Sequence, residues 1–528
     1  MGLKCSADYI EELINNTPNG EVCSLNKQEY YIGRRICVKN KKNIIIDGQD
    51  SCILTRYDNN KEVDPQADAF LIEKCTNVTL KNFTIDAEKE TNMTVILEEI
   101  DEENKYVIVR ADDYYKVSGD EVFMTMCSVD SNGVFDHKFH LYHMHPDNDN
   151  IISYIQNEIV ALLSYSGAKK EYLGDNRFKV YMPDFFATWS KENIGKKICV
   201  RHSMYGPSVI TVKNSNDTYI QNIIMHRTPG MGIVVIGRCN NMTVDGLRME
   251  KYPESPTLMA CNCDGIHIAG LTGTFVLKNS RFDRMGDDAL NIHSTAGTVT
   301  KIVNEHTLKC NYCIRVHNGL LPKHWCRRGD IIRSFNPDSI VETGQFKVVS
   351  FDKDVLEFTK VSGSVNKGDF LQNTEFAQIC IVDNVEIAHS LARGCVLQAQ
   401  KSEVKNSRFS YMPNSGFIVA PAMKYWHEEG PTEELYVHDN EFEQCGLYAN
   451  KASINVSTQH GDPDPKIEHL HKNIRIENNI FKTNNDIVIS IAASDNVKVE
   501  SNTYITDNEK TASERIRLIS SKYIESER

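Results

Sequence analysis

One six-residue pattern recurs along this chain: apolar, variable, polar, polar, variable, aromatic. It reads Leu277-Lys278-Asn279-Ser280-Arg281-Phe282, then Val404-Lys405-Asn406-Ser407-Arg408-Phe409. It continues as Val437-His438-Asp439-Asn440-Glu441-Phe442, Ile476-Glu477-Asn478-Asn479-Ile480-Phe481 and Val499-Glu500-Ser501-Asn502-Thr503-Tyr504. Earlier relatives begin at Leu80 and Val244. Self-similarity of this kind marks a solenoid, in which each unit buries its apolar face only by stacking on its neighbours. The unit itself reads as strand, tight bend, strand. Asparagine suits the bend because it tolerates the left-handed conformation.

A second apolar strand follows many units, as in Gly232-Ile233-Val234-Val235-Ile236, Gly416-Phe417-Ile418-Val419 and Ile487-Val488-Ile489-Ser490-Ile491. Alternation with period two is good, and helical periodicity is poor. The fold class is therefore all-β: a right-handed parallel β-helix. Two stretches break the repeat, and each reads as a small inserted β-barrel. The expected layout is an N-terminal cap and first coils over 1–86, and an inserted barrel over 87–205. Coils follow over 206–294, a second barrel over 295–376, and the last coils over 377–528. The first twenty residues suggest a short amphipathic helix through Ile10, Leu13 and Ile14 that caps the open end of the solenoid.

Two similar runs stand one coil apart: Asp264-Gly265-Ile266-His267-Ile268 and Asp287-Asp288-Ala289-Leu290-Asn291-Ile292-His293. Asp264 to Asp288 is 288 − 264 = 24 residues, the offset that also aligns Ile266 and Ile268 with Leu290 and Ile292. Stacked coils lie roughly 4.8 Å apart, so three carboxylates crowd one patch. Any one aspartate could be a turn residue. A doubled aspartate stacked on a third costs stability and is tolerated mainly where a site needs it. Asp287 is the member out of register. His267, Asn291 and His293 share these strands, Arg284 lies in the connecting turn, and Asn414, Lys424 and Trp426 are expected on the same side of later coils.

The paired motifs resemble polygalacturonases in part, but the chain has no Gly-His-Gly and its later coils offer no clear Arg-x-Lys. They are more similar to glycoside hydrolase family 110, exo-acting α-1,3-galactosidases, in which a Gly-Asp-Asp-Ala-x-Asn-Ile-His-type motif follows an Asp-Gly-Ile-His-type motif by one coil. The resemblance implies removal of a non-reducing terminal α-1,3-linked galactose, of blood-group-B or linear type, with inversion. It implies Asp287 as general acid, with Asp264 and Asp288 holding the water. It implies a homodimer in which a neighbour's barrel completes the site. Position near the patch, rather than the resemblance, makes His267, Asn291, His293, Arg284, Asn414, Lys424 and Trp426 the candidate sugar contacts. The alternatives are a polygalacturonase-like endo-hydrolase of another polysaccharide and a non-catalytic carbohydrate-binding solenoid.

A net charge of −13 argues against a nucleic-acid partner, which asks for a basic face. No apolar run reaches the length of a membrane span, so no membrane partner is expected. No metal or other cofactor is called for. Cys310-x-x-Cys313 with His324 and Cys326 permits zinc by composition but lacks a standard second half-site. Sixteen cysteines without a framework of spacings read as reduced thiols. The first twenty residues carry no leader core, so the expected compartment is the cytoplasm, or outside the cell for a bacterial enzyme seen without its leader.

Overall fold

The computed structural model describes residues 6–56, 68–121, 123, 125–129, 135–142, 169–181, 191–203, 206–314, 317–423, 426–447, 451–459, 463–507 and 509–525. Eleven short strands form one parallel sheet in strict chain order, from Ile36–Lys39 to Ile516–Ile519. Each pairs with the strand one coil earlier and the strand one coil later. The recurring hexapeptides form the other wall, where parallel strands again pair coil to coil. This is a parallel β-helix, with the right-handed sense that parallel crossovers adopt.

The bends in that wall behave as the hexapeptide predicts. Asn82, Asn222, Asn279, Asn384, Asn406 and Asn478 all hold φ between 49° and 58°. Their amides form a ladder between coils: Asn384 donates to Asn279 at 2.8 Å, and Asn279 donates to Asp245 at 2.8 Å. The aromatic position stacks as well. Phe409, Phe442, Phe481 and Tyr504 follow one another at 4.9, 5.1 and 5.5 Å with nearly parallel rings. Each such contact adds about 0.5–1.5 kcal/mol beyond simple burial. The apolar side chains between the walls make one continuous core from Ala7 to Val499.

The helix Ser6–Asn16 closes the first coil, burying Ala7, Ile10 and Ile14. Its Glu11 accepts from Arg34 Nη1 at 2.8 Å and from the Cys37 amide at 2.6 Å, which fixes it against the edge strands. No helix among the described residues is long and apolar enough to cross a membrane.

Two antiparallel sheets interrupt the coils. Strands from Asn92–Asp101 to Lys197–Arg201 form a seven-stranded sheet around Val95, Leu97, Phe123 and Phe178. In the second insertion, Gly297–Asn304 pairs with both Phe370–Asn373 and Thr307–Ile314, closing a barrel of six strands. Cys310 and Cys326 are buried in that barrel's apolar core beside Val299, Leu308 and Trp325. The barrel leans on the late coils through Phe335, Ile340 and Phe370, which pack on Met423, Ile467 and Leu470.

Candidate active site

The strand pair Ile266–Ile268 and Leu290–Ile292 runs in the register expected from the 24-residue offset, with Ile266 opposite Leu290 and His267 opposite Asn291. Just ahead of these strands the backbones stay locked together. The Gly265 amide donates to Asp288 O at 2.9 Å, and the Asp288 amide donates to Asp264 Oδ1 at 3.2 Å. One carboxylate oxygen each from Asp264, Asp287 and Asp288 then lies within 4.8 Å of the others. Gly286 contributes through close approach rather than through a left-handed bulge. A Cβ there would meet Asn262 O at 2.4 Å, so only glycine lets the two coils approach this closely.

The three carboxyls have different surroundings. Asp288 is buried, and Arg393 on the next coil grips both its oxygens: Nε to Oδ1 at 2.8 Å and Nη2 to Oδ2 at 2.8 Å, with the Arg393 amide also on Oδ1 at 3.1 Å. A bidentate guanidinium fixes the orientation of such a group. Asp264 is buried too, and its Oδ2 lies 2.7 Å from His267 Nδ1. Asp287 is half-buried and has no hydrogen-bond partner among the described residues. Burial, then the charge of Asp288, pushes the carboxyls of Asp264 and Asp287 well above the ordinary carboxylate range. Arg393 pulls both back in part.

A histidine chain sets where the proton on Asp264 can go. His293 Nδ1 faces the Ser294 carbonyl at 3.0 Å and must donate to it, so a neutral His293 accepts at Nε2. That nitrogen lies 3.1 Å from His267 Nε2, which must then be the donor. A neutral His267 is left with a bare Nδ1 toward Asp264. Either the Asp264 carboxyl donates to it, or the imidazole is charged and Asp264 is not. One proton is shared by the pair. Burial holds both imidazoles below their ordinary range, which favours the proton on the carboxyl. Glu428 stands 3.5 Å from His293 Nε2, carried there by a two-residue strand paired with Ser294–Thr295.

The other expected residues are placed as follows. Asn291 lies beside His267 with its Oδ1 buried and without a partner among the described residues, an acceptor left for an incoming donor. Asn414 falls two coils beyond Asp287 in the same row, since Leu290 pairs with Cys395 and Cys395 with Phe417. Trp426 accepts from Tyr312 of the barrel at its carbonyl, 3.4 Å away, two residues before Glu428. Arg284 pairs with Asp283 at 3.8 Å, and its charge bears on Lys251 and Cys199. Lys424 lies outside the described residues. Two residues were not anticipated, Arg393 and Glu428. Arg393 could have been found by extending the glycine-plus-strand series to Gly394-Cys395-Val396-Leu397, which places it directly over Asp288.

The aspartate trio is the one set of three potential metal ligands in mutual reach among the described residues. Arg393 already neutralises Asp288 from 2.8 Å, so a cation bound there would face a guanidinium on the same oxygens. The arrangement suits proton handling.

No family model matches the chain. Among curated proteins it is 28% identical to α-1,3-galactosidase B of Akkermansia muciniphila over 256 residues, 46% of this chain and 32% of that protein. It is 22% identical over 497 residues to α-1,3-galactosidase A of Shewanella woodyi, 89% of this chain and 74% of that protein. The chain thus spans about a third of the first relative and three-quarters of the second. Among solved structures, a polygalacturonase from Erwinia carotovora is similar at TM-score 0.37 and 9% identity, covering 97% of this chain and 94% of that one. The chain is a low-identity relative of the curated α-1,3-galactosidases of glycoside hydrolase family 110 and has a parallel β-helix architecture.

Proposed function

We propose that this protein is an exo-acting glycosidase that removes a terminal α-1,3-linked galactose and inverts the anomeric centre. The observation that carries the reading is the division of labour among the three aspartates. Asp287 is half-buried and has no hydrogen-bond partner among the described residues, and burial with the charge of Asp288 holds its carboxyl well above the ordinary range, which suits a general acid on the glycosidic oxygen. Asp288 is held at both oxygens by Arg393, and Asp264 shares a proton with His267. In the reaction Asp287 protonates the leaving oxygen as the bond to the anomeric carbon breaks. Water attacks from the opposite face, and Asp264 takes its proton while handing its own to the bare Nδ1 of His267, which leaves an imidazolium facing the newly formed Asp287 anion.

Carboxyls in inverting enzymes usually stand about 6.5–9.5 Å apart, and in retaining enzymes about 5–5.5 Å. The present cluster is tighter than the first range. A retaining nucleophile needs a free oxygen, however. Arg393 occupies both oxygens of Asp288, while His267 and the Asp288 amide occupy those of Asp264. Hydrogen bonds to all of these oxygens lower their nucleophilicity, which favours water as the attacking group.

The test is hydrolysis of Galα1-3Gal and of the fucose-branched blood-group-B trisaccharide. The wild type should release galactose from one or both, first as the β-anomer by NMR. Asp287→Asn should lose about 10²–10⁴-fold in rate. Release from neither substrate would refute the reading, and initial α-galactose would refute inversion.

A further inference from the structure

Far from the aspartates, the molecule holds a cleft of about 760 Å³ between the solenoid and the second barrel. That volume is in the range of ligand sites. It opens at the other end of the eleven-stranded sheet. The aspartates precede their strands, whereas Lys74 follows Phe70–Glu73, Asn214 follows Ile210–Lys213 and Arg238 lies just beyond Ile233–Ile236. A four-residue strand separates the two ends by roughly 13 Å. The cleft crosses four successive coils, from Lys74 to Thr272, a length of roughly 14 Å at the spacing of stacked strands.

Its charge is opposite to that of the protein. The chain carries −13 overall, yet Lys74, Arg238, Lys323 and Arg327 converge here against one lining carboxylate, Asp217. Arg238 is accounted for by a bidentate pair with Asp330, at 2.7 and 3.0 Å. Lys74, Lys323 and Arg327 are exposed, and among the described residues none has an acidic partner. In an acidic protein, three cationic side chains facing one cavity repel one another, and Asp217 is the one carboxylate of the lining set against them. His324 on the same wall reports that field. Burial first, then Arg327, Lys213 and Arg238, holds its imidazole below the ordinary range. Between the cations the lining is amide and hydroxyl, from Asn214, Asn240 and Thr272, groups that suit sugar hydroxyls.

We infer that this cleft binds an acidic carbohydrate chain, with Lys323, Arg327 and Lys74 holding a sulfate or carboxylate substituent and the asparagines its hydroxyls. The choice of a carbohydrate rests on the glycosidase reading. The anion site rests on the cleft alone. Its place would let the enzyme hold a charged glycan at a point distinct from the bond it cuts.

Isothermal titration of the full chain tests this with three probes: a 6-sulfated N-acetyllactosamine tetrasaccharide, its unsulfated parent and inorganic sulfate. The sulfated tetrasaccharide should bind at least tenfold more tightly than either of the others. It should weaken markedly between 20 and 200 mM salt, as screening requires. Lys323→Glu with Arg327→Glu should cost at least another tenfold, and Lys74→Glu alone several-fold. Both variants alter exposed side chains, and both should cleave a neutral galactoside at the wild-type rate. Equal binding of sulfated and unsulfated probes, or equal binding by wild type and both variants, would overturn the site. Inorganic sulfate binding as tightly as the tetrasaccharide would overturn the carbohydrate assignment. Binding is read without catalysis, so failure of galactose release would count against the glycosidase reading and leave the anion site standing.

Discussion

Asp287→Asn should make the protein more stable at alkaline pH while removing its chemistry. Two unit charges 4.8 Å apart in an effective dielectric near 20 repel by about 3.5 kcal/mol. Asp287 faces two such neighbours, and Arg393 offsets part of the repulsion. The folded carboxyl therefore titrates well above its ordinary value of 3.8, which the unfolded chain keeps. Between those two values the folded protein binds the extra proton, so stability falls as pH rises through the window. Below the lower value both states are protonated and the cost is absent. Asparagine keeps the shape and removes the titration. The urea midpoint should therefore rise at pH 8 by an amount equivalent to about 1–3 kcal/mol and stay unchanged at pH 3.5. An unchanged or lower midpoint at pH 8, or an equal gain at both pH values, would refute the account of a strained carboxylate cluster.

Arg393→Ala should cost about 3–5 kcal/mol in urea unfolding, because it leaves Asp288 buried without its counter-charge. It should also move the pH–rate optimum upward, since Arg393 lowers both Asp264 and Asp287. Glu428→Gln should act in the opposite direction: Glu428 raises Asp264, so its loss should shift the acid limb of kcat/KM to lower pH. Asn440→Ala should cost about 2–4 kcal/mol by urea titration, because its amide serves Ser407 N, Val404 O, His438 O and Asn479 together.

The coils and the aspartate register were legible because nothing interrupts the chain between Asp264 and Asp288. A period of 24 residues there is a period in space as well. Arg393 was hidden by arithmetic: it stacks on Asp288 after 393 − 288 = 105 residues, most of them the second insertion. Its glycine-led strand repeats the pattern, but only a reader who discounts the barrel would count it as the next coil. Glu428 gave less signal still. It reaches His293 through a two-residue strand in which Glu428 pairs with Thr295, 133 residues earlier (428 − 295), and no periodicity records such a pairing. The separate placement of Asp287 was legible as an oddity of register, though not its cause. It stands in the turn ahead of the strand Leu290–Ile292, and Gly286 lets that turn settle against Asn262.

The 105 residues between Asp288 and Arg393 also measure time. At about 5–20 residues per second, a ribosome needs roughly 5–20 s to deliver the guanidinium after the last aspartate has been made. During that interval the early coils can stack with three carboxylates together and no cation over them. Protonation is the available relief, so the nascent solenoid should hold its protons most firmly before Arg393 arrives. The second insertion is synthesised inside the same interval, since it lies between the coil of Asp288 and the coil of Arg393. Synthesis order makes the neutralised site the last part of this region to exist.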